Sequence, residues 1–290
     1  FVRTPSYVSP RPDITFSESE RGTPEFVARL LERRKEWFDR FEVVTKTRFP
    51  MNEKLVREQE AAWKQVFDAL VKAPHAREVL TPRYRYGCKR PLFSSTYYPA
   101  VTQDNVQLVG RGVSHVDGDF IVDSAGERYA VDVIVWATGF KTQDMLNGID
   151  IRGRDGRELA KEWDPVPKAF FGTLVKGFPN FFVIGGPNTG SPGNPVEGQV
   201  DLIINVMEKA RDLGSASVEV DPDAFDAFNE DMRCRGDASV LVLGGCNSYY
   251  RVGGNGQVYT HWPDTMEAFG VRIAKEGMQG VRFDGLNAPA

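Results

Sequence analysis

Two adjacent cations, Lys89 and Arg90, follow Gly87 and Cys88 and precede an aromatic pair, Tyr97 and Tyr98. A lysine is a compact, mobile point charge, whereas an arginine presents a planar fork that stays charged at any usable pH. Neighbours in an extended segment face opposite ways. The pair could therefore serve two anionic partners, or be two solvated surface cations.

Three further clusters carry polar chemistry. The loop from Gly185 to Gly193 has four glycines, so its backbone can approach a ligand closely, and it offers Asn188, Thr189 and Ser191 ahead of a helix. Unpaired N–H groups at such a place favour negative charge. The loop fits neither GxGxxG nor GxxxxGK[ST], which leaves ligand contact and tight-turn scaffolding both open. Arg3 and Thr4 follow an apparent strand end, where a dinucleotide-binding fold uses a basic residue to accept the additional phosphate of NADP. Tyr249, Tyr250, His261 and Trp262 could line an apolar pocket with polar donors or belong to an aromatic core.

Other chemistries find little in the chain. His75, His115 and His261 have no metal-ligand spacing, so no metal site is expected. Cys88, Cys234 and Cys246 form no CxxC pair; this argues against a disulfide framework and suits a reducing, cytoplasmic compartment. Neither a Ser-His-Asp order nor a paired-carboxylate spacing stands out, which leaves hydrolysis without support.

The elements that must position these groups read as α/β. Thr23 can cap a helix with Pro24 at its first position, and Phe26, Val27, Leu30, Leu31, Trp37, Phe38 and Phe41 recur on one face. A second amphipathic helix spans 53–71, and the two are expected to pack as a pair. Beyond Pro82 and Gly87 the period becomes strand-like. Strands are predicted at 106–109, at 120–122 and at 129–136, the last apolar enough to be covered on both faces. Residues 149–168 read as loop. A strand at 181–184 runs into the glycine loop, a helix follows to about Ala210, a strand spans 217–220, and Asp221 caps a helix beginning at Pro222.

Composition sets outer bounds. The 290 residues, 41% hydrophobic and 26% charged, describe an ordinary globular chain. A net charge of -4 gives no general attraction for nucleic acid, and no apolar run reaches the length of a membrane-spanning helix.

Several motifs then stand in order: VRTPSYV at 2–8, GCKR at 87–90 with YYP at 97–99 and DNV at 104–106, DVIVWATGF at 132–140, IDIRGRDG at 149–156, GFPN at 177–180 and GPNTG at 186–190. Together they resemble the flavin-dependent Baeyer–Villiger monooxygenases and their class B flavoprotein relatives. The resemblance implies an incomplete two-dinucleotide-binding-domain flavoprotein, the C-terminal portion with a helical insertion. Residues 1–105 would be the remainder of an NADPH-binding domain with that insertion, 106–135 its end, and 136–290 the FAD-binding and substrate-pocket segments.

The resemblance also implies roles. Arg3 and Thr4, with Lys89, would hold the 2'-phosphate of NADPH; Arg90 would be the active-site arginine beside flavin and nicotinamide, favouring negative charge on the oxygenated flavin. Ala137, Thr138 and Gly139 would form the linker beside the flavin domain, and Gly186, Pro187, Asn188 and Thr189 a loop near the flavin ring. Tyr249 stands where the family commonly has tryptophan. The family's GxGxxG motifs and fingerprint are absent, so the chain is expected to be inactive by itself, lacking its N-terminal half or self-associating. The implied reaction takes a ketone and O2 to an ester or lactone. Oxygenation of nitrogen or sulfur in a heteroatom substrate, and a non-catalytic binding module, are the alternatives.

Overall fold

The computed structural model describes residues 1–11, 15–139, 142, 145, 146, 148–190 and 194–284. Ser191 and Gly193 of the glycine loop, and Phe140 at the end of its motif, lie outside the described residues. In chain order the elements are β1 (Val8–Ser9), α1 (Pro24–Arg48), α2 (Glu53–Leu70), α3 (Pro74–Leu80), β2 (Leu92–Phe93), α4 (Tyr97–Val101), β3 (Val113–Asp117), β4 (Phe120–Asp123), β5 (Arg128–Ala130), α5 (Leu159–Glu162), α6 (Asn194–Leu213), β6 (Ser217–Val220), α7 (Pro222–Asp237), α8 (Val240–Leu243), α9 (Met266–Glu276) and β7 (Val281–Asp284).

The helix starts follow local chemistry. The Thr23 side chain accepts from the Phe26 N–H, Asn52 from Leu55, and Asp221 from Asp223 and Ala224, each satisfying donors that a helix N-terminus leaves free. Helix α1 continues past Phe41 to Arg48. Its two halves differ. Val27, Leu30, Leu31 and Trp37 are exposed, while Phe38 and Phe41 pack on the C-terminal core and the Met266 N–H donates to Glu42 Oε1 at 2.7 Å. Helices α1 and α2 do touch, as expected. No described helix is long and apolar enough to cross a membrane.

Two main cores result. One gathers Tyr7, Trp63, Phe67, Tyr84, Tyr86 and Tyr98 around β1 and α2, with Tyr7 edge-on to Trp63, Tyr84 and Tyr86. The other packs α6, α7 and α9 on β6–β7 around Phe170, Phe171, Phe228, Trp262 and Phe269. Trp262 is thus a core residue, and its indole N–H donates to Thr265 O.

The sheets are smaller than predicted. Strands β1 and β2 pair in parallel, β3-β4-β5 form an antiparallel meander, and β6 pairs antiparallel with β7. The predicted strand at 129–136 stops at Ala130; Val133, Val135 and Trp136 are exposed, at 79%, 84% and 68%. Residues 106–109 are not a strand, and 181–184 makes only an isolated bridge from Phe182 to Leu174. The cause is common to all three. A strand exists through its ladder, and the described residues give these runs too few backbone partners. Residues 149–168, expected as loop, hold a 3-10 turn at Arg154–Gly156 closed by an Arg152–Glu158 bridge, and the short helix α5.

The cysteine expectation needs correction. Cys88 and Cys246 form a disulfide across 158 residues of sequence, leaving Cys234 as a free, exposed thiol. A bridge so distant leaves no local spacing to read.

Candidate functional site

The segment that opens the chain is held beside Lys89 by backbone pairing. Val8 is in register with Leu92 and Ser9 with Phe93; the Leu92 N–H donates to Tyr7 O at 2.8 Å, and the Val2 N–H to Val109 O at 2.7 Å. Arg3, Thr4 and Lys89 therefore line one cleft of about 1150 Å³, together with Arg83, Arg111 and Cys246. Arg83 and Arg111 had not been singled out, since isolated arginines in polar sequence carry no signal of convergence.

The cations of the cleft are not equally committed. Arg111 is paired with Asp123 at 2.6 Å, and Arg251 is bonded to the carbonyls of Gly256 and Leu241. Arg3, Arg83 and Lys89 make no ion pair among the described residues. Half-buried Lys89 has its ammonium 5.7 Å from the Tyr84 ring centroid. Burial, and then the charge of Arg3, pull its pKa down. Two cations on one cleft wall, neither in an ion pair although Glu78 lines the same cleft, raise the potential where a phosphate would neutralise both.

Arg90 leaves the backbone on a different course. It is exposed, does not line the cleft, and its charge reaches the Tyr250 phenol. Gly87 makes the turn before it with φ 88, and a Cβ there would stand 3.3 Å from both Arg48 Cγ and Val240 Cγ1. Around Tyr250, the Tyr249 hydroxyl donates to the Tyr250 hydroxyl at 3.1 Å and the His261 ring packs edge-on at 4.3 Å. Burial raises the Tyr250 phenol pKa well above its ordinary value. His261 is pushed down to about 3 by burial and by the charge of Arg48, so its imidazole is neutral. Tyr249 itself is exposed at 46%.

The glycine loop is a scaffold more than an anion cradle. Its Gly185, Asn188 and Gly190 N–H groups donate to Gln199 Oε1, Tyr259 O and Thr260 O, so these donors are spent within the chain. Gly186, Pro187, Asn188 and Thr189 are buried, and Thr189 donates to Gly186 O at 2.6 Å. Gly172 explains the packing: a Cβ there would lie 2.3 Å from Thr189 Cγ2 and 2.8 Å from Pro187 O. Ala137, Thr138 and Gly139 stand apart from this loop's packing, in exposed chain, with Gly139 at φ 99. The structure thus joins Arg3, Thr4 and Lys89 in one cleft and leaves Arg90 outside it, its charge acting on Tyr250.

Known proteins match this chain over nearly its whole length. A "Baeyer-Villiger monooxygenase" of Pseudomonas aeruginosa is 34% identical over 284 residues, covering 91% of this chain and 51% of that protein. One of Streptomyces coelicolor is 36% identical over 277 residues, covering 93% and 53%. The chain belongs to the Baeyer–Villiger monooxygenase family. As a family member it spans about half the length of these curated relatives. No family model matches it. Among solved structures, an oxidised steroid monooxygenase bound to NADP superposes with a TM-score of 0.75 at 26% identity, over 97% of this chain and 61% of that one. A closed cyclohexanone monooxygenase gives 0.76 at 22% identity over 98% and 62%, a likeness of fold. The mixed α/β architecture of this Baeyer–Villiger family chain matches the fold of part of these solved monooxygenases.

Proposed function

We propose that this chain forms part of an FAD- and NADPH-dependent monooxygenase that converts a ketone, O2 and NADPH with a proton into an ester or lactone, NADP and water. One observation carries the reading: Arg3, Thr4 and Lys89 share a basic cleft, while Arg90, next in sequence, lies outside it, with its charge felt at the Tyr250 phenol. Residues 1–135 would serve the nucleotide and 136–290 the flavin and substrate.

The residues present suit the nucleotide. Lys89 and Arg3, close together and without a carboxylate partner, would hold the 2'-phosphate, with the Thr4 hydroxyl as a further donor. Bound FAD would supply the transfer of electrons from NADPH to O2 and of one oxygen atom to the substrate. Arg90 would keep a fixed positive charge where negative charge develops, a role its planar, permanently charged fork suits. Ala137, Thr138 and Gly139 would border the flavin. The buried Gly186–Thr189 turn would hold its shape from behind, and Tyr249 would face nicotinamide and substrate.

The test uses adenosine 2',5'-bisphosphate, which carries the phosphate that Lys89 and Arg3 would read. Calorimetric or NMR titration of the chain should show binding about tenfold weaker for AMP, and about tenfold weaker for Lys89→Ala. Equal binding of AMP and the bisphosphate would overturn the cleft assignment. In a protein of its relatives' full length loaded with FAD and NADPH, Arg90→Ala should abolish ester formation from a cyclic ketone while leaving bisphosphate affinity intact. Sulfoxide without ester, from paired ketone and sulfide substrates, would replace the carbonyl chemistry by heteroatom oxygenation.

A further inference from the structure

Arg48, in the last turn of α1, is 6% exposed. Its Nε has no hydrogen-bond partner, and among the described residues no carboxylate pairs with it. An unpaired charge in a protein interior is costly, and such a group ordinarily carries a salt bridge or a bound ion. Here its surroundings are phenols and rings. The guanidinium carbon lies 5.8 Å from the Tyr250 ring centroid, and Tyr250, Tyr86 and Tyr249 are the groups that favour its charge. Gly87 makes room for it, since a Cβ there would meet Arg48 Cγ at 3.3 Å and Nε at 3.4 Å.

The position matters more than the cost. Buried Arg48 lies over the Tyr250 ring, and the charge of exposed Arg90 also acts on the Tyr250 phenol. Tyr250 also meets His261 edge-on, and the Tyr249 hydroxyl donates to that of Tyr250. We propose that Arg48 is a positioning residue of this site, fixing Tyr250 and through it Tyr249 beside Arg90, and holding a second positive charge behind Arg90. The space in front of the tyrosines is then biased toward anionic ligands by two cations rather than one. That last consequence rests on the reading of Arg90 given above; the contact with the tyrosines does not.

Three variants of the chain test it: Arg48→Met, Arg48→Lys and Tyr250→Phe. Methionine fills similar space without charge, and replacing a buried charge by an apolar side chain of similar volume is often neutral or stabilising. Thermal unfolding of Arg48→Met should therefore begin no earlier than that of the parent. The diagnostic readout is NMR of the His261 imidazole and of tyrosines labelled at Cζ, assigned with Tyr250→Phe. The groups facing His261 and Tyr250 are Arg48, Arg90, Tyr249, Thr260 and Phe49.

In Arg48→Met the His261 pKa should rise by about one unit or more, and the Tyr249 and Tyr250 signals should shift together. Arg48→Lys should keep His261 low, because the charge remains, yet still displace the tyrosine signals, because the fork is lost. Unmoved tyrosine signals in a folded Met variant, or identical His261 behaviour in Met and Lys, would overturn the proposal. If the Met chain fails to fold, the Lys chain decides: tyrosine signals like the parent's would refute positioning by the fork. A chain that binds no bisphosphate would sink the nucleotide reading and leave this test unaffected.

Discussion

Of the five described arginines that lie over aromatic rings, Arg272 and Arg48 have opposite neighbourhoods. Arg272, in α9, sits 5.3 Å from the Phe228 centroid and 5.6 Å from that of Trp262, and donates to both Asp231 and Glu276. Arg48 sits over Tyr250 with no acidic partner among the described residues. In the first region charge is completed within the chain. In the second, as in the cleft of Arg3 and Lys89, it is left open. A closed network identifies a residue that holds the fold, and an open one identifies a residue placed for something else.

The largest effect should come from breaking the closed region. Phe171 is fully buried and touches Phe170, Phe228, Trp262 and Phe269. Phe171→Ala should cost about 3–5 kcal/mol in chemical denaturation. If the loss were under 1 kcal/mol, the C-terminal core would not be the closed unit described.

Acid sharpens the contrast next. His261 has a folded pKa of about 3, below its unfolded value of about 6.5. The unfolded chain therefore binds a proton that the folded chain refuses, and stability falls as pH drops below about 6.5. The slope should approach about 1.4 kcal/mol per pH unit between about pH 6 and pH 4. Stability curves at several pH values would show it, and His261→Phe should flatten the slope over that range.

Arg272→Met should cost about 2 kcal/mol, because it strips charged hydrogen bonds from Asp231 and Glu276. The matching change at Arg48 should cost nothing measurable. Equal losses in the two variants would erase the distinction between the regions. Smallest of all, Lys89→Ala should change stability by no more than about 0.5 kcal/mol in the same denaturation assay.

The sequence made the helices legible because their signals are local. Thr23 with Pro24, and Asp221 with Pro222, announce helix starts within a few residues. The site was legible in part for the same reason, since adjacent Lys89 and Arg90 had to diverge. What failed depended on distant partners. The apolar run ending at Trp136 has strand composition but no ladder here, and the Cys88–Cys246 bridge spans most of the chain. Arg48 was missed because a basic residue in the last turn of a helix suits the helix dipole and looks ordinary. Only the packing of Gly87 and Tyr250 around it shows that it is buried. The glycine loop misled differently: its composition permits a ligand cradle, whereas Gly185, Asn188 and Gly190 spend their donors on Gln199, Tyr259 and Thr260.

The Cys88–Cys246 bridge turns a linear chain into a ring with two tails. Residues 88–246 form the ring; Arg3 and Thr4 come from one tail, Asn247 and Arg251 from the other, and Lys89 and Gly245 flank the knot itself. The walls of the basic cleft thus meet where the ring closes, and that meeting survives unfolding. Closing a loop this long removes freedom from the denatured chain worth about 5 kcal/mol in the chain-entropy account. A refolding chain whose bridge is intact begins with Lys89 and Gly245 already neighbours, so completing the cleft requires the two tails, residues 1–87 and 247–290, to return to that knot.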